Sequence, residues 1–156
     1  MAKSSIENVV TVLTNVLDLH TEDYDLHVNF PGGVPLDGPS AGIAVATAVY
    51  SAITKKPVDN RLAMTGELSI RGQVRPVGGV VAKVEAALEA GCQRVLIPRD
   101  NWQEVFRTLA VEVIAVDYLR DVIKEAMVAL EKTEPGARPV LDTDLLAASP
   151  GTSPGR

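Results

Sequence analysis

The sequence contains very few of the residues that form disulfides, bind metal ions through histidine or cysteine, or build an aromatic core. Its single cysteine, Cys92, excludes an internal disulfide and fits a reducing compartment. Two histidines and one distant cysteine match no recognised ligand spacing, so we predict no metal site. Aromatic residues make up only 4% of the chain, so the core must consist of Val, Ala, Leu and Ile.

Runs of one charge and long apolar runs are also absent. A net charge of −5 without a cluster of like charges argues against a nucleic-acid partner. The apolar segment Ile43–Ile53 is too short to span a bilayer, and the first residues lack a signal-peptide pattern. The 156 residues are 46% hydrophobic, which predicts one soluble, cytoplasmic domain.

Helical and strand patterns alternate along the chain and predict the fold class α/β (α+β), a single domain with a mixed sheet, a central hairpin and packed helices. The predicted helices cover roughly 4–19, 39–54, 80–90, 100–109 and 117–131, with Asp100 and Asp117 capping the last two. The predicted strands cover roughly 26–30, 63–70, 74–77, 94–97 and 111–116. Residues 1–132 would form the domain, and 133–156 a disordered C-terminal tail.

A loop rich in Gly and Pro ends at Ser40, where a helix of small residues is predicted to begin. Pro39 suits the first turn of a helix because its fixed φ is helical and its missing N–H would have no partner there. Free backbone N–H groups and the helix dipole favour negative charge at this end, which suits a nucleophile that creates an oxyanion. Most serines at such positions only cap the helix. Ser40 therefore needs a base.

Lys83 is a candidate for that base because the helical spacing places it on the apolar side of its helix. The other members of this apolar stripe are Val80, Val84, Ala87 and Leu88. Apolar surroundings disfavour the charged form of an amine, and a neutral amine can act as a general base. The alternative, commoner across proteins, is a lysine whose long stem carries its amine to the edge of the helix.

Two other functional motifs are matched only in part. Gly38–Gly42 matches the G-x-S-x-G elbow of α/β hydrolases, but both histidines, His20 and His27, precede the serine, and a loop replaces the expected strand. Gly32-Gly33 and Gly78-Gly79 lack the Gly-Lys-Ser/Thr ending of a phosphate-binding loop. Neither a hydrolase triad nor a nucleotide site is predicted.

Several motifs nevertheless occur together in a fixed order. Asp37-Gly38-Pro39-Ser40-Ala41-Gly42 is followed by Met64-Thr65-Gly66-Glu67, by Arg71-Gly72-Gln73-Val74 with Pro76 and Gly78-Gly79, and by Lys83. From about Ala2 to Leu130 the chain resembles the proteolytic domain of Lon proteases, and Asp23–Pro31 resembles the branch found in spore-forming bacteria. The resemblance implies a serine endopeptidase that cleaves unfolded polypeptides through an acyl-enzyme, as the proteolytic part of an ATP-dependent protease.

The resemblance also implies roles for individual residues. Ser40 would be the nucleophile and Lys83 its base, in a Ser–Lys dyad. Thr65 would orient the lysine amine, although by itself it is typical of an ordinary strand residue. Glu67 would either support the site or be a solvated strand residue. Gly38 lies in the loop that, with Ser40, would supply backbone oxyanion donors.

Two further candidates precede the serine. The carboxylate of Asp37 could pair with Lys83 and keep the amine charged until the loop moves, or it could bond its own backbone in a turn. His27 corresponds to a family position near the substrate groove, but a partly buried strand histidine is the favoured interpretation.

The family has parts that this sequence does not contain. Lon proteases carry an ATPase module, so the resemblance implies no cofactor in this domain and ATP and Mg²⁺ only through that module. Their proteolytic domain usually begins with strands ahead of the first predicted helix, so we expect a truncated domain. Family members form six-membered rings, which implies a homo-oligomer. The alternatives are a catalytically silent module that serves assembly or substrate binding, and a transferase or amidase with a Ser–Lys pair.

Overall fold

The computed structural model describes residues 3–29 and 38–128. This part of the chain contains, in order, α1 (Lys3–Leu17), α2 (Gly42–Thr54), β1 (Leu62–Met64), β2 (Glu67–Leu68), β3 (Val74–Arg75), α3 (Val80–Glu89), β4 (Arg94–Pro98), β5 (Glu112–Val116) and α4 (Leu119–Ala126). Two 3₁₀ turns, Arg99–Asn101 and Glu104–Thr108, lie between β4 and β5. Within the described ranges no helix is both long enough and apolar enough to span a membrane. The predicted tail at 133–156 lies outside them.

The strands form a three-stranded parallel sheet and an antiparallel hairpin. In the sheet β4 is central, with β1 on one side and β5 on the other. The hairpin joins β2 to β3 and places Glu67 opposite Arg75. Parallel pairing, antiparallel pairing and packed helices are therefore all present, and the predicted α/β class is confirmed.

Alternate residues of β4 contribute to two apolar clusters, because side chains alternate between the faces of a strand. Leu96 is fully buried in a cluster with α1, α2, α4 and the hairpin. Val95 and Ile97 belong to a second cluster with α3 and Phe106. The buried residues are predominantly Val, Leu, Ile and Ala, as the low aromatic content predicted. The sheet thus has helices on both faces.

The predicted strand at 63–70 is two strands, because the backbone changes partner after β1. Thr65 N–H donates to Leu96 O of β4 at 3.0 Å, whereas Gly66 N–H donates to Ser40 O at 2.9 Å. A Cβ added to Gly66 would lie 2.8 Å from Val74 Cγ1, so a side chain has no room there. This break brings the end of β1 against the segment that precedes α2.

The strand predicted at 26–30 has no strand partner in the described part of the chain. Leu26 and Val28 still pack against the core, and His27 and Asn29 are exposed, so the alternating pattern reports burial rather than strand pairing. The structure corrects the prediction for His27, which is neither in a strand nor partly buried.

The helix predicted at 100–109 is also wrong. Trp102 and Gln103 have extended backbone, with ψ angles of 135° and 146°. This interruption leaves one 3₁₀ turn before the two residues and one after them. A continuous α-helix cannot pass through extended residues.

The last helix is confirmed, but its cap differs. Asp117 does not cap α4, because its carboxylate accepts a hydrogen bond from Arg99 Nε at 2.6 Å. Asp121 Oδ2 instead accepts the Tyr118 N–H at 3.1 Å, at the start of the helix. The helix ends at Ala126, ahead of the predicted position near 131.

Candidate active site

Ser40 lies in the turn before α2. Its carbonyl accepts the Gly66 N–H at 2.9 Å, and Ile43 N–H in the first turn of α2 donates back to Gly66 O at 3.3 Å. The N-cap position of α2 belongs to Ala41, without a side-chain hydrogen bond, so the Ser40 hydroxyl does not act as the helix cap. Two backbone hydrogen bonds therefore fix this turn and leave the hydroxyl free of a capping role.

Glycines allow this close approach of α2 to the segment after β1. The helix begins at Gly42 rather than at Pro39, whose carbonyl accepts the Gly42 N–H at 3.0 Å. A Cβ added to Gly42 would lie 2.9 Å from Leu68 N, a backbone atom that cannot move without the hairpin. Gly38, ahead of the turn, has a φ of +92°, which favours glycine.

Lys83 lies in the first turn of α3, on the side predicted for it. Val80, Val84 and Ala87 are buried, Lys83 is half-buried and Glu85 is exposed. The Lys83 Nζ donates to Thr65 Oγ1 at 3.5 Å, the long limit of a hydrogen bond. The amine is therefore directed toward the end of β1 and the Ser40 turn.

Thr65 links these two elements. Its side chain is buried, and its Oγ1 donates to Ser40 O at 3.3 Å while accepting from Lys83 Nζ. Within the described residues Lys83 reaches Ser40 through Thr65, and no direct hydrogen bond joins Ser40 Oγ to Lys83 Nζ. Thr65 thus follows β1 rather than lying in it, and its hydroxyl is hydrogen-bonded to both Ser40 and Lys83.

One open cleft of about 210 Å³ contains all three residues. Its lining consists of Ser40, Ala41, Ala44, Ala63, Met64, Thr65, Lys83 and Val95. The side-chain hydroxyls and amine thus share the cleft with apolar side chains, most of which are short. Ala44 and Val95 were not predicted as wall residues, because only the packing of α2 and β4 brings them to the cleft.

The other predicted residues lie elsewhere. Glu67 is half-buried on the hairpin and is not among the residues that line the cleft. His27 lines a separate apolar groove of about 380 Å³ beside α2, which meets the cleft at Ala44. Asp37 lies outside the described residues, so its pairing with Lys83 stays a prediction. The described residues include no cluster of three or more His, Cys, Asp or Glu that could hold a metal ion.

The fold and the cleft define an α/β domain with a serine and a lysine at the starts of two different helices, joined by a buried threonine. Comparison with known protein families gives a match over residues 1–129 to the Lon protease (S16) C-terminal proteolytic domain. The chain belongs to this family. The predicted family is therefore confirmed.

Individual relatives agree with the family match. The chain is 50% identical over 129 residues to Lon protease 2 of Bacillus subtilis (strain 168), covering 82% of this chain and 23% of that protein. It is 44% identical over 136 residues to an archaeal Lon protease of Halobacterium salinarum, covering 82% of this chain and 19% of that protein. Lon protease 1 of Myxococcus xanthus is 39% identical over 145 residues, which cover 85% of this chain and 18% of that protein. The chain therefore spans less than a quarter of the length of these relatives.

Proposed function

We propose that this chain is a serine endopeptidase domain that cleaves unfolded polypeptides, with Ser40 as nucleophile and Lys83 as general base. The observation that carries the proposal is the link from Lys83 through Thr65 to the Ser40 turn inside one cleft. Membership of the Lon proteolytic-domain family supports the peptidase class. A lysine and a serine in one cleft supply the two groups that an activated nucleophile needs.

The hydrogen bonds of Thr65 define how the amine is oriented. A threonine hydroxyl has one proton, and here it is donated to Ser40 O, so Thr65 presents only lone pairs to Lys83. Lys83 must therefore donate to Thr65. A neutral Lys83 amine that donates one N–H to Thr65 Oγ1 still has its lone pair. This lone pair can turn toward the Ser40 hydroxyl. Thr65 is thereby a positioning residue for the base.

The reaction then proceeds in two halves. Lys83 removes the Ser40 proton, and Ser40 Oγ attacks the peptide carbonyl to give a tetrahedral oxyanion. The protonated Lys83 returns the proton to the leaving amine as the C–N bond breaks, which leaves an ester on Ser40. Water, deprotonated by the same amine, hydrolyses the ester and regenerates the hydroxyl and the neutral lysine.

The start of α2 is suited to the negative charge of the intermediate. Backbone N–H groups of Ser40 and of the loop around Gly38 are the proposed donors to the oxyanion. The positive end of the α2 dipole adds to this stabilisation, because the helix begins two residues after the nucleophile. The loop and the helix thus supply electrostatic stabilisation for the oxyanion.

Membership of the family also supports a proposal about the assembly in which this domain works. We propose that the domain is the proteolytic part of an ATP-dependent protease in the cytoplasm and assembles as a hexameric ring. ATP and Mg²⁺ would act through an ATPase module, and this domain would need no cofactor of its own. Residues 1–132 are the proposed domain, with 133–156 as a tail.

Hydrolysis of a fluorogenic unstructured peptide tests the proposal. Wild type, Ser40→Ala and Lys83→Gln are compared across a range of pH, with circular dichroism to confirm that each chain folds. We expect hydrolysis by wild type alone, at a rate that rises with pH because only the neutral amine accepts a proton. Activity in Lys83→Gln equal to wild type would reject the dyad. Three folded but inactive chains would reject the endopeptidase and favour the catalytically silent module.

A further inference from the structure

The side chain of Asn101 makes two hydrogen bonds to the backbone of a single residue. Its Oδ1 accepts the Val77 N–H at 2.8 Å, and its Nδ2 donates to Val77 O at 3.0 Å. Only this orientation of the amide matches a donor with an acceptor at both positions. The pair imitates the two hydrogen bonds that a neighbouring strand would make.

Val77 lies in the short segment that leads from β3 into α3. Pro76, Gly78 and Gly79 around it are exposed, and a Cβ added to Gly78 or Gly79 would touch nothing within 4 Å. Among the described residues, both backbone hydrogen bonds of Val77 go to Asn101. Asn101 is therefore the main polar attachment of the segment that precedes α3.

The position of Lys83 depends on this segment. Lys83 is the fourth residue of α3, and its N–H donates to Gly79 O at 3.1 Å in the first helical turn. Its Nζ already lies at the limit of hydrogen-bond distance from Thr65 Oγ1, at 3.5 Å. A shift of α3 by a fraction of an ångström would therefore break that contact.

The segment that contains Asn101 also binds Thr65. Leu96 O in β4 accepts the Thr65 N–H at 3.0 Å, and Asn101 is the last residue of the 3₁₀ turn that follows β4. One segment, 96–101, thus holds the threonine through its backbone and the start of α3 through its amide side chain. The start of α3 and the residue that binds the Lys83 amine are thus both attached to this one segment.

We propose that Asn101 is a positioning residue for the Lys83 amine. The proposal rests on the function proposed above, in which Lys83 is the base for Ser40. Asn101 contacts neither Ser40 nor Lys83 and acts through Val77 and the first turn of α3. Its loss should therefore change the reaction and the environment of the lysine more than the stability of the fold.

Asn101→Asp is the direct test, because it keeps the shape and the acceptor but replaces the donor to Val77 O with a repelling oxygen. Asn101→Ala removes both hydrogen bonds and serves if the aspartate variant does not fold. Asn15→Asp, on the exposed face of α1, makes the same chemical change away from the cleft and is the control. Two readouts are measured in the full chain: peptide hydrolysis and the NMR signal of the Lys83 side chain, assigned by its loss in Lys83→Gln.

We expect kcat to fall about tenfold or more in both Asn101 variants, with KM little changed, because a small misplacement of a catalytic group is costly. The Lys83 signal should shift in both, and Asn15→Asp should match wild type in both readouts. An unchanged Lys83 signal, or a kcat equal to that of wild type, would overturn the proposal. If the wild-type chain is inactive, the proposed function fails, while the Lys83 signal still decides whether Asn101 positions the amine.

Discussion

The proposed nucleophile lies just before α2 and the proposed base lies in the first turn of α3, and the starts of these two helices are held in different ways. The start of α2 is fixed by backbone hydrogen bonds between Ser40, Gly66 and Ile43, with no space for a side chain on Gly42. The start of α3 is attached through the side chain of Asn101, beside glycines with open space around them. The nucleophile is thus held by the main chain and the base by side chains.

This difference separates what the fold requires from what the chemistry requires. A change at the start of α2 must move backbone, so it costs stability and activity together. A change in the side chains around Lys83 removes hydrogen bonds that each contribute only about 1 kcal/mol to stability. Such a change can still misplace the amine, so it should reduce activity in a chain that remains folded.

The largest effect is expected for Gly42→Ala. The new Cβ would meet Leu68 N at 2.9 Å, so α2 and the hairpin must move apart. We expect a loss of about 1–3 kcal/mol in the free energy of unfolding, and a fall in peptide hydrolysis of about 100-fold or more. Urea unfolding and the peptide assay measure the two effects. Wild-type stability in this variant would show that the contact can relax and that the start of α2 is not rigid.

Thr65→Val should have a large effect on activity and a small one on stability. Valine keeps the shape of threonine but loses the hydrogen bonds to Ser40 O and from Lys83 Nζ, while the Gly66 N–H still satisfies the Ser40 carbonyl. We expect hydrolysis to fall about 10- to 100-fold and the free energy of unfolding to change by about 1 kcal/mol.

Thr65→Ser is the matched control, because it keeps the hydroxyl. Its rate should stay within a few-fold of wild type. Equal rates for the serine and valine variants would show that the hydroxyl does not orient Lys83, and the link from Lys83 to Ser40 would then be only structural.

The smallest effect is expected for Gly79→Ala. Gly79 has a φ of +65°, and an alanine in this left-handed conformation costs about 1–2 kcal/mol. The strain falls at the start of α3, so hydrolysis should drop several-fold. Gly78→Ala is the control, since Gly78 has open space and no positive φ, and it should behave as wild type in both assays. An effect as large in Gly78→Ala would mean that loss of flexibility, not strain, is responsible.

The parts of the site that depend on local pattern were predicted correctly. The helical period of α3 places Lys83 beside buried Val80 and Val84, and the structure shows that arrangement. The turn before α2 follows from its Gly and Pro content. These features depend on residues within one helical turn of each other, so the sequence is sufficient to predict them.

The parts that depend on distant partners were not predictable. Nothing near Gly66 indicates that its N–H binds the Ser40 carbonyl instead of a neighbouring strand, so the break between β1 and β2 was missed. Asn101 has no periodic signal either, because its partner Val77 lies 24 residues earlier. The pairing of Ser40 with Lys83 came from the family resemblance, since spacing alone does not show which helix starts meet.

The rate at which a fluorophosphonate modifies the chain, followed by intact mass across a range of pH, tests most directly whether Lys83 activates Ser40. The reagent forms a phosphonyl ester with an activated serine and releases fluoride, so no substrate preference is needed. We predict one adduct on Ser40 in wild type, formed faster as pH rises, and none in Ser40→Ala or Lys83→Gln. Modification of Ser40 at the same rate in Lys83→Gln as in wild type would contradict the assignment of Lys83 as the base.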